Sequence, residues 1–140
     1  MASEFALSVV APDREVLDQP VTSAIAPGVV GYFGVYAGHE PVVAALRPGL
    51  LEYTDSSGSR HYVSISGGVA EVTGTRMTVL ADAAERAQDV DAKRAEESLE
   101  RARRALRGES SDMTQPEATE AIERASARLR ATKASGGAAP

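Results

Sequence analysis

A chain of 140 residues, of which 43% are hydrophobic and 25% charged, has room for one ordinary globular domain and an appendage. It contains no cysteine, which excludes disulfide bonds, thiol catalysis and cysteine metal sites. The formal net charge of −5 argues against a nucleic-acid-binding protein, which needs a basic face. No apolar run is long enough to span a membrane, so we expect contact with a membrane only through partner proteins.

The charges divide the chain into two halves. The first 84 residues are acidic and sparsely charged, whereas the residues that follow are densely charged and balanced. This shift predicts a β domain over residues 1–86 and a helical hairpin over residues 87–131. Residues 132–140 are small and show no periodicity, which predicts a disordered tail.

The first half has the pattern of a β domain. Runs of β-branched and aromatic residues are separated by proline, glycine and serine turn signals, which is typical of a mostly antiparallel β-sandwich or flattened barrel. The glycine-rich stretch at residues 26–46 predicts two short strands with tight corners and an exposed loop at residues 37–41. The other predicted strands are residues 5–10, 16–17, 21–26, 50–54, 60–66, 69–72 and 75–80.

The second half predicts two amphipathic helices. Asp89 or Asp91 fits the N-cap of the first helix, and Gly108 fits the position after its end. Thr114 and Glu117 form a capping box for the second helix. The predicted seams are Ala92, Ala95, Leu99, Ala102 and Leu106 in the first helix, and Ala118, Ile122, Ala125 and Leu129 in the second.

These seams make the hairpin only marginally stable on its own. They offer four large apolar side chains, each worth about 2 kcal/mol when fully buried. Ordering the hairpin costs several times their sum, because each residue loses about 1 kcal/mol of backbone entropy. We therefore expect the hairpin to need the β domain, a ligand or a partner. Either a hairpin that undocks as a switch or one that stays permanently docked fits this pattern.

The residues predict no catalytic site and no metal site. There is no phosphate-binding loop, no dinucleotide-binding glycine pattern and no nucleophile elbow. The two histidines, His39 and His61, lie in different segments and have no carboxylate pair at ligand spacing. We therefore expect a non-catalytic chain whose function lies in its contacts.

Five motifs in a fixed order point to a family. They are Ala-Pro-Gly at 26–28, Gly-Tyr-Phe-Gly-Val-Tyr-Ala-Gly-His-Glu-Pro at 31–41, Leu-Arg-Pro-Gly at 46–49, Val-Ser-Ile-Ser-Gly-Gly-Val-Ala-Glu-Val at 63–72, and Val-Leu-Ala-Asp at 79–82. With residues 85–87 and 90–95, the chain resembles the epsilon subunit of an F-type ATP synthase over residues 4–130. The resemblance implies an antiparallel β-sandwich of about ten short strands, followed by an antiparallel two-helix hairpin.

The resemblance also implies a function and partners. It implies a non-catalytic rotor subunit in the central stalk that binds the gamma subunit, rests on the c-ring and couples proton transport to ATP synthesis. The hairpin would inhibit ATP hydrolysis when it extends toward the catalytic alpha and beta subunits. The c-ring-facing residues would be Val30, Gly31, Tyr32 and His39. With no targeting peptide evident, we expect a peripheral protein on the cytoplasmic face of a bacterial plasma membrane.

Some members of this family bind regulatory ATP through an Ile/Leu-Asp-x-x-Arg-Ala motif, and residues 90–95 match it except that Val90 replaces Ile or Leu. The ATP-binding residues that the resemblance implies are Glu85, Val90, Asp91, Arg94, Ala95, Arg124 and Arg128. Arginines four residues apart share a helix face and can neutralise phosphate. The alternative is that Arg124 and Arg128 are solvated and paired with Glu120 and Glu123.

A second function stays open from the residues alone. A freestanding ligand-binding β domain with a helical dimerisation arm would show the same division into a β half and a helical half. The two functions differ in whether the chain associates with an ATPase complex.

Overall fold

The structure, a computed structural model, describes residues 3–137 of the chain. Seven strands are followed by a short 3₁₀ turn at Ala87–Asp89 and two α-helices. The strands are β1 (Phe5–Ala11), β2 (Arg14–Gly28), β3 (Gly31–Val35), β4 (Val42–Asp55), β5 (Arg60–Val72), β6 (Arg76–Ala81) and β7 (Ala84–Arg86). The helices are α1 (Ala92–Leu106) and α2 (Gln115–Gly137). The predicted sandwich followed by two helices is confirmed.

The strands form a sheet that closes on itself. The pairing order is β1-β6-β5-β4-β2, and β1 also pairs with β2, so the circuit is complete. Every pairing in the described residues is antiparallel except that of β1 with β6. Closure leaves only short edges at β3 and β7. The largest fully buried side chains fill its interior: Leu7, Val9, Val21, Val35, Leu51, Val63, Ile65, Val72, Met77 and Val79.

The described residues contain seven strands rather than about ten, because several predicted breaks lie inside continuous strands. Pro20 lies within β2, Pro48-Gly49 lies within β4, and Gly67-Gly68 lies within β5. Gly67 and Gly68 adopt φ angles of +102° and +133°, which side-chain-bearing residues rarely adopt. These glycines bend β5 while Gly68 keeps its pairing with Ala81 of β6.

The predicted helix caps are present. The Asp91 side chain accepts a hydrogen bond from Arg94 N at 3.1 Å, and Gly108 follows α1 with a φ of +79°. Glu117 N donates to Thr114 Oγ1 at 3.2 Å, and Thr114 N donates to Glu117 Oε1 at 2.9 Å. This contact lowers the pKa of the Glu117 carboxyl, because the backbone N–H of Thr114 stabilises the charged form.

The predicted disordered tail needs correction. The helix α2 continues to Gly137, beyond the predicted end of the hairpin at residue 131. The added residues begin with Thr132, Lys133 and Ala134, and Thr132 Oγ1 donates to the carbonyl of Arg128 one turn earlier. Lys and Ala favour helices, so the helix has no reason to stop at 131. Residues 138–140 of the predicted tail lie outside the described part of the chain.

The predicted helix seams also need correction. Among the hairpin side chains up to residue 134, the buried ones are alanines: Ala95, Ala102, Ala105, Ala118, Ala125, Ala127 and Ala131. The large residues lie at the margins instead, and Leu106 is 40% exposed. Small side chains let the two helix backbones approach closely, so larger residues are displaced to the edges of the contact. The hairpin therefore buries even less apolar surface than the sequence suggested.

The hairpin is docked on the β domain. Its contacts with the sheet come mainly from α2, which packs on β4 and β5. The connection is held at its start, because Arg86 donates from Nε and Nη2 to the carbonyl of Val16 at 3.1 and 2.9 Å. Arg14 Nη2 likewise donates to the carbonyl of Ala84 at 3.2 Å. The segment before α1 is thus fixed to the start of β2.

Replacing Gly68 with Ala should destabilise the β domain by about 2 kcal/mol or more. A Cβ atom there would lie 2.1 Å from the carbonyl oxygen of Leu80, and the φ of +133° is strained for alanine. Urea denaturation measures the change in the free energy of unfolding. Gly34→Ala is the matched control, because a Cβ there meets nothing within 4 Å. Equal stability of the two variants would contradict this account of β5.

Candidate functional site

A cavity of about 530 Å³ lies between the sheet, both helices and the link that joins them. Its volume is in the range of small-molecule sites. The lining residues are Ser66, Ala83, Glu85, Arg94, Ser98, Arg101, Met113, Ala121, Arg124, Ala125 and Arg128. The cavity exists only because α2 is docked, since its walls belong to both the sheet and the hairpin.

Four guanidinium groups and one carboxylate give this cavity its charge. Arg94 and Arg101 come from α1, and Arg124 and Arg128 come from α2. Residues separated by seven or four positions share a helix face, so each helix directs both of its arginines toward the same side. Guanidinium groups bind phosphate oxygens through paired N–H donors. The arrangement is suited to a polyanion.

Glu85 already pairs with one of these arginines. The Nε atom of Arg128 is buried and lies 2.7 Å from Glu85 Oε1, but its N–H does not align on an acceptor. The contact is therefore an ion pair without the geometry of a hydrogen bond. The alternative interpretation of the sequence paired Arg124 and Arg128 with Glu120 and Glu123, but Arg128 does not pair with either of these residues.

The other arginines of the cavity are less engaged. Arg124 Nη1 lies 4.0 Å from Glu120 Oε2 on the same helix, which is a weak contact. Arg94 and Arg101 form no ion pair with any acidic side chain of residues 3–137. The cavity therefore offers cationic groups that its own walls do not neutralise.

The structure brings together only part of the predicted ATP site. Glu85, Arg94, Arg124 and Arg128 line the cavity, whereas Val90, Asp91 and Ala95 are not among its lining residues. Val90 ends the 3₁₀ turn, Asp91 caps α1, and Ala95 is fully buried. These three residues position the start of α1 and hence the side chain of Arg94.

The sequence interpretation missed three polar residues of the cavity. Ser98 and Arg101 follow Arg94 by four and seven positions, so they share its helix face and could have been predicted from it. Ser66 comes from β5, and nothing in its local sequence indicated that α2 would pack over it.

The residues expected to face the c-ring lie in two separate segments. Val30 lies in the turn between β2 and β3 and is 99% exposed, and Gly31 begins β3 with a φ of +134°. The hydroxyl of Tyr32 accepts a hydrogen bond from Leu50 N at 3.1 Å. His39 lies in the following loop, and its Nδ1 atom is 2.6 Å from the carbonyl oxygen of Glu40.

An exposed apolar band adjoins this turn. It consists of Val29, Val43, Val69 and Leu80, all large and all exposed. Val29 N donates to the carbonyl of Ala45 at 3.0 Å, Ala45 pairs with Val69, and Val69 pairs with Leu80. Direct cross-strand pairs share a sheet face, so these residues form a continuous surface. An exposed apolar surface that joins neighbouring strands is a candidate contact surface for another protein.

A polar cluster around Asp55 lies outside the cavity. The Asp55 carboxylate accepts hydrogen bonds from the Ser57 hydroxyl, from His61 Nε2 at 2.7 Å and from the backbone N–H groups of Ser59 and Ser57, which together hold the pKa of Asp55 well below its usual range. This cluster closes the turn between β4 and β5. Within the described part of the chain, no three His, Asp or Glu side chains cluster closely enough to hold a metal ion.

The fold and site define a small closed β domain with a docked helical hairpin. The β domain matches the family described as "ATP synthase, Delta/Epsilon chain, beta-sandwich domain" over residues 4–87. The hairpin matches "ATP synthase, Delta/Epsilon chain, long alpha-helix domain" over residues 88–133. The chain belongs to the delta/epsilon chain family of ATP synthases.

Curated relatives are similar over nearly their whole length. The ATP synthase epsilon chain of Nitratidesulfovibrio vulgaris strain DP4 is 41% identical over 130 residues, which cover 93% of this chain and 96% of the relative. That of Symbiobacterium thermophilum is 40% identical over 133 residues, which cover 94% and 95%. The resemblance identified from the sequence motifs is thereby confirmed, and a freestanding ligand-binding domain loses its support.

Solved structures show the same fold. A chain in the structure of Euglena gracilis mitochondrial ATP synthase, comprising OSCP, F1 and c-ring, superposes with a TM-score of 0.78 at 25% identity. The match covers 96% of this chain and 82% of that one. A chain from the central stalk and c-ring of the Tetrahymena thermophila enzyme has a TM-score of 0.56 at 14% identity, which shows the fold alone.

Proposed function

We propose that this chain is the non-catalytic central-stalk subunit of an F-type ATP synthase and couples proton transport through the c-ring to ATP synthesis. Membership of the delta/epsilon family over both domains carries the proposal. The similarity to a chain within an F1 and c-ring assembly supports it. In this role the chain acts through binding, and the catalysis belongs to other subunits.

The exposed surfaces support contacts with the gamma subunit and the c-ring. The apolar band offers an area that a partner can cover, and the projecting turn at Val30 and Gly31 offers a separate contact point. The closed sheet holds both in fixed positions, which suits a part that transmits torque. We propose that Tyr32 and His39 also take part in the c-ring contact.

The proposed location is the cytoplasmic face of a bacterial plasma membrane, where the chain is held by its partners. Epsilon chains of bacteria are similar to it over most of their length. No helix of the described residues is long and apolar enough to cross a membrane.

The hairpin is proposed to restrain ATP hydrolysis. When docked, it covers β4 and β5 of its own domain, and when extended it would reach the catalytic alpha and beta subunits. Alanine packing supports such a change, because parting surfaces lined by small side chains exposes little apolar area. Two docking states of similar free energy are what a switch requires.

Removing residues 89–140 should raise ATP hydrolysis by the reconstituted complex, because the inhibitory element is lost. The assay compares steady-state hydrolysis with full-length chain and truncated chain, at equal occupancy of the complex. A full-length Arg104→Gln chain serves as control, since Arg104 pairs only with Glu100 of its own helix among the described residues. Hydrolysis that is unchanged by the truncation would refute inhibition by the hairpin.

We also propose that the basic cavity binds regulatory ATP and thereby favours the docked hairpin. The four arginines supply the phosphate contacts, and the cavity spans sheet and both helices. A ligand that bridges these walls binds the docked state better than the extended one. ATP is thus expected to relieve inhibition by the hairpin.

Replacing Arg94 or Arg101 with Ala should weaken ATP binding about tenfold or more, because each change removes a charge-assisted hydrogen bond to phosphate. Equilibrium binding to the isolated full-length chain measures this change. Arg104→Ala is the matched control, because it removes an arginine of the same helix that does not line the cavity. No binding to the unaltered chain at millimolar ATP would end the proposal.

A further inference from the structure

The contact between α2 and the sheet is weakly specified by apolar packing. Over residues 115–134, the part of α2 whose side chains are described, the buried side chains are alanines, and an open cavity separates part of the helix from the sheet. Alanine buries little area, so packing alone favours one position of the helix over a shifted one only slightly. The docked position must depend on a further interaction.

Two ion pairs of opposite polarity join α2 to the β domain. In one, Arg128 of the helix lies 2.7 Å from Glu85 of β7. In the other, Glu123 of the helix lies 3.7 Å from Arg47 of β4. Glu123 and Arg128 lie five residues apart, which is about 7.5 Å along the helix axis, and their partners are fixed on the sheet. A shift of the helix along its axis would therefore move both charges away from their partners. The pairs therefore select one register of docking.

Exposure decides which pair matters more. The side chains of Glu85 and Arg128 are 33% and 21% exposed, whereas those of Glu123 and Arg47 are 37% and 53% exposed. Exposed pairs are screened by solvent and contribute little. Loss of one partner from a half-buried pair costs more, because the other charge stays poorly solvated. Glu85–Arg128 is the principal contact.

Glu85 has a second role in the cavity, where it is the one carboxylate among the lining residues. Four guanidinium groups face the same space, and two of them form no ion pair within the described residues. All four arginines belong to α1 and α2, so their mutual repulsion pushes the two helices apart, and solvent screens part of it because Arg94, Arg101 and Arg124 are exposed. Glu85 lies on β7 and attracts these arginines toward the sheet. Glu85 reduces the repulsion from within.

We infer that Glu85 is an internal counterion that latches the hairpin in its docked position when no anionic ligand is bound. It neutralises Arg128 and lowers the repulsion among the cavity arginines, which is also what a bound polyphosphate would do. The hairpin can then be held in its docked position either by the Glu85 carboxylate or by a bound ligand. The consequence for ATP hydrolysis depends on the proposed function, but the latch itself does not.

The test measures the docked fraction of the isolated full-length chain. The chain has no cysteine, so Asp13→Cys and Arg130→Cys allow spin labels to be placed on the β domain and on α2. Both positions are exposed. Pulsed dipolar spectroscopy then gives the distribution of distances between them. In the labelled parent we expect one narrow, short-distance population.

Glu85→Gln should raise the ratio of undocked to docked chains about threefold to tenfold, as expected for a pair of intermediate burial. Arg128→Gln should raise the ratio by less, because it removes the ion pair but also one of the charges that repel one another. The exchange of both residues, Glu85→Arg with Arg128→Glu, should recover part of the docked population. Inorganic tripolyphosphate should redock the Glu85→Gln variant, because the polyanion replaces the missing carboxylate. Arg104→Gln removes an ion pair within α1 and should leave the distances unchanged.

Identical distance distributions for the parent, Glu85→Gln and Arg128→Gln would overturn the inference. An undocked Glu85→Gln chain that binds tripolyphosphate but is not redocked by it would overturn the counterion role. Circular dichroism checks that each variant keeps its helices. Because no ATPase is present, a failed latch is distinguished from a failure of the hairpin to inhibit hydrolysis.

Discussion

The balance of charge beneath the hairpin is the interaction on which the docked arrangement depends. Arg94, Arg101, Arg124 and Arg128 face one cavity, and Glu85 is the carboxylate among its walls. Alanine packing between α2 and the sheet buries little apolar area, so we infer that the Glu85–Arg128 pair contributes much of the preference for the docked position. In the proposed function, an anionic ligand in the cavity would shift the same balance.

Local sequence patterns predicted the order of strands and helices, but not that strands continue through several of the predicted breaks. The capping box at Thr114 and Glu117 and the N-cap at Asp91 formed as expected, because their hydrogen bonds are set within one turn of helix. Breaks at Gly67 and Gly68 were expected to end a strand, yet pairing with β6 carries the chain through them. Whether a glycine ends or bends a strand is decided by its neighbours, which the local sequence does not show.

The residues of the cavity were also predicted only in part, because some of them meet through contacts between segments that are distant in the sequence. Arg94 was identified through a family motif and Arg124 and Arg128 through the wider family resemblance, and the helix face of Arg94 would also have indicated Arg101. The partner of Arg128 was not predictable from spacing, because Glu85 lies 43 positions away and meets it only when α2 docks. Likewise, nothing in the helix pattern showed that alanines rather than leucines would form the contact, since both fit the same periodicity.

Hydrogen exchange on the isolated full-length chain tests most directly whether a ligand in the cavity stabilises the docked hairpin. With ATP at ten times its dissociation constant, amide exchange that requires undocking of α2 should slow about tenfold. Exchange in the central strands β4 and β5, which opens only with the whole domain, should change far less. ATP binding without any slowing in α2 would contradict the account.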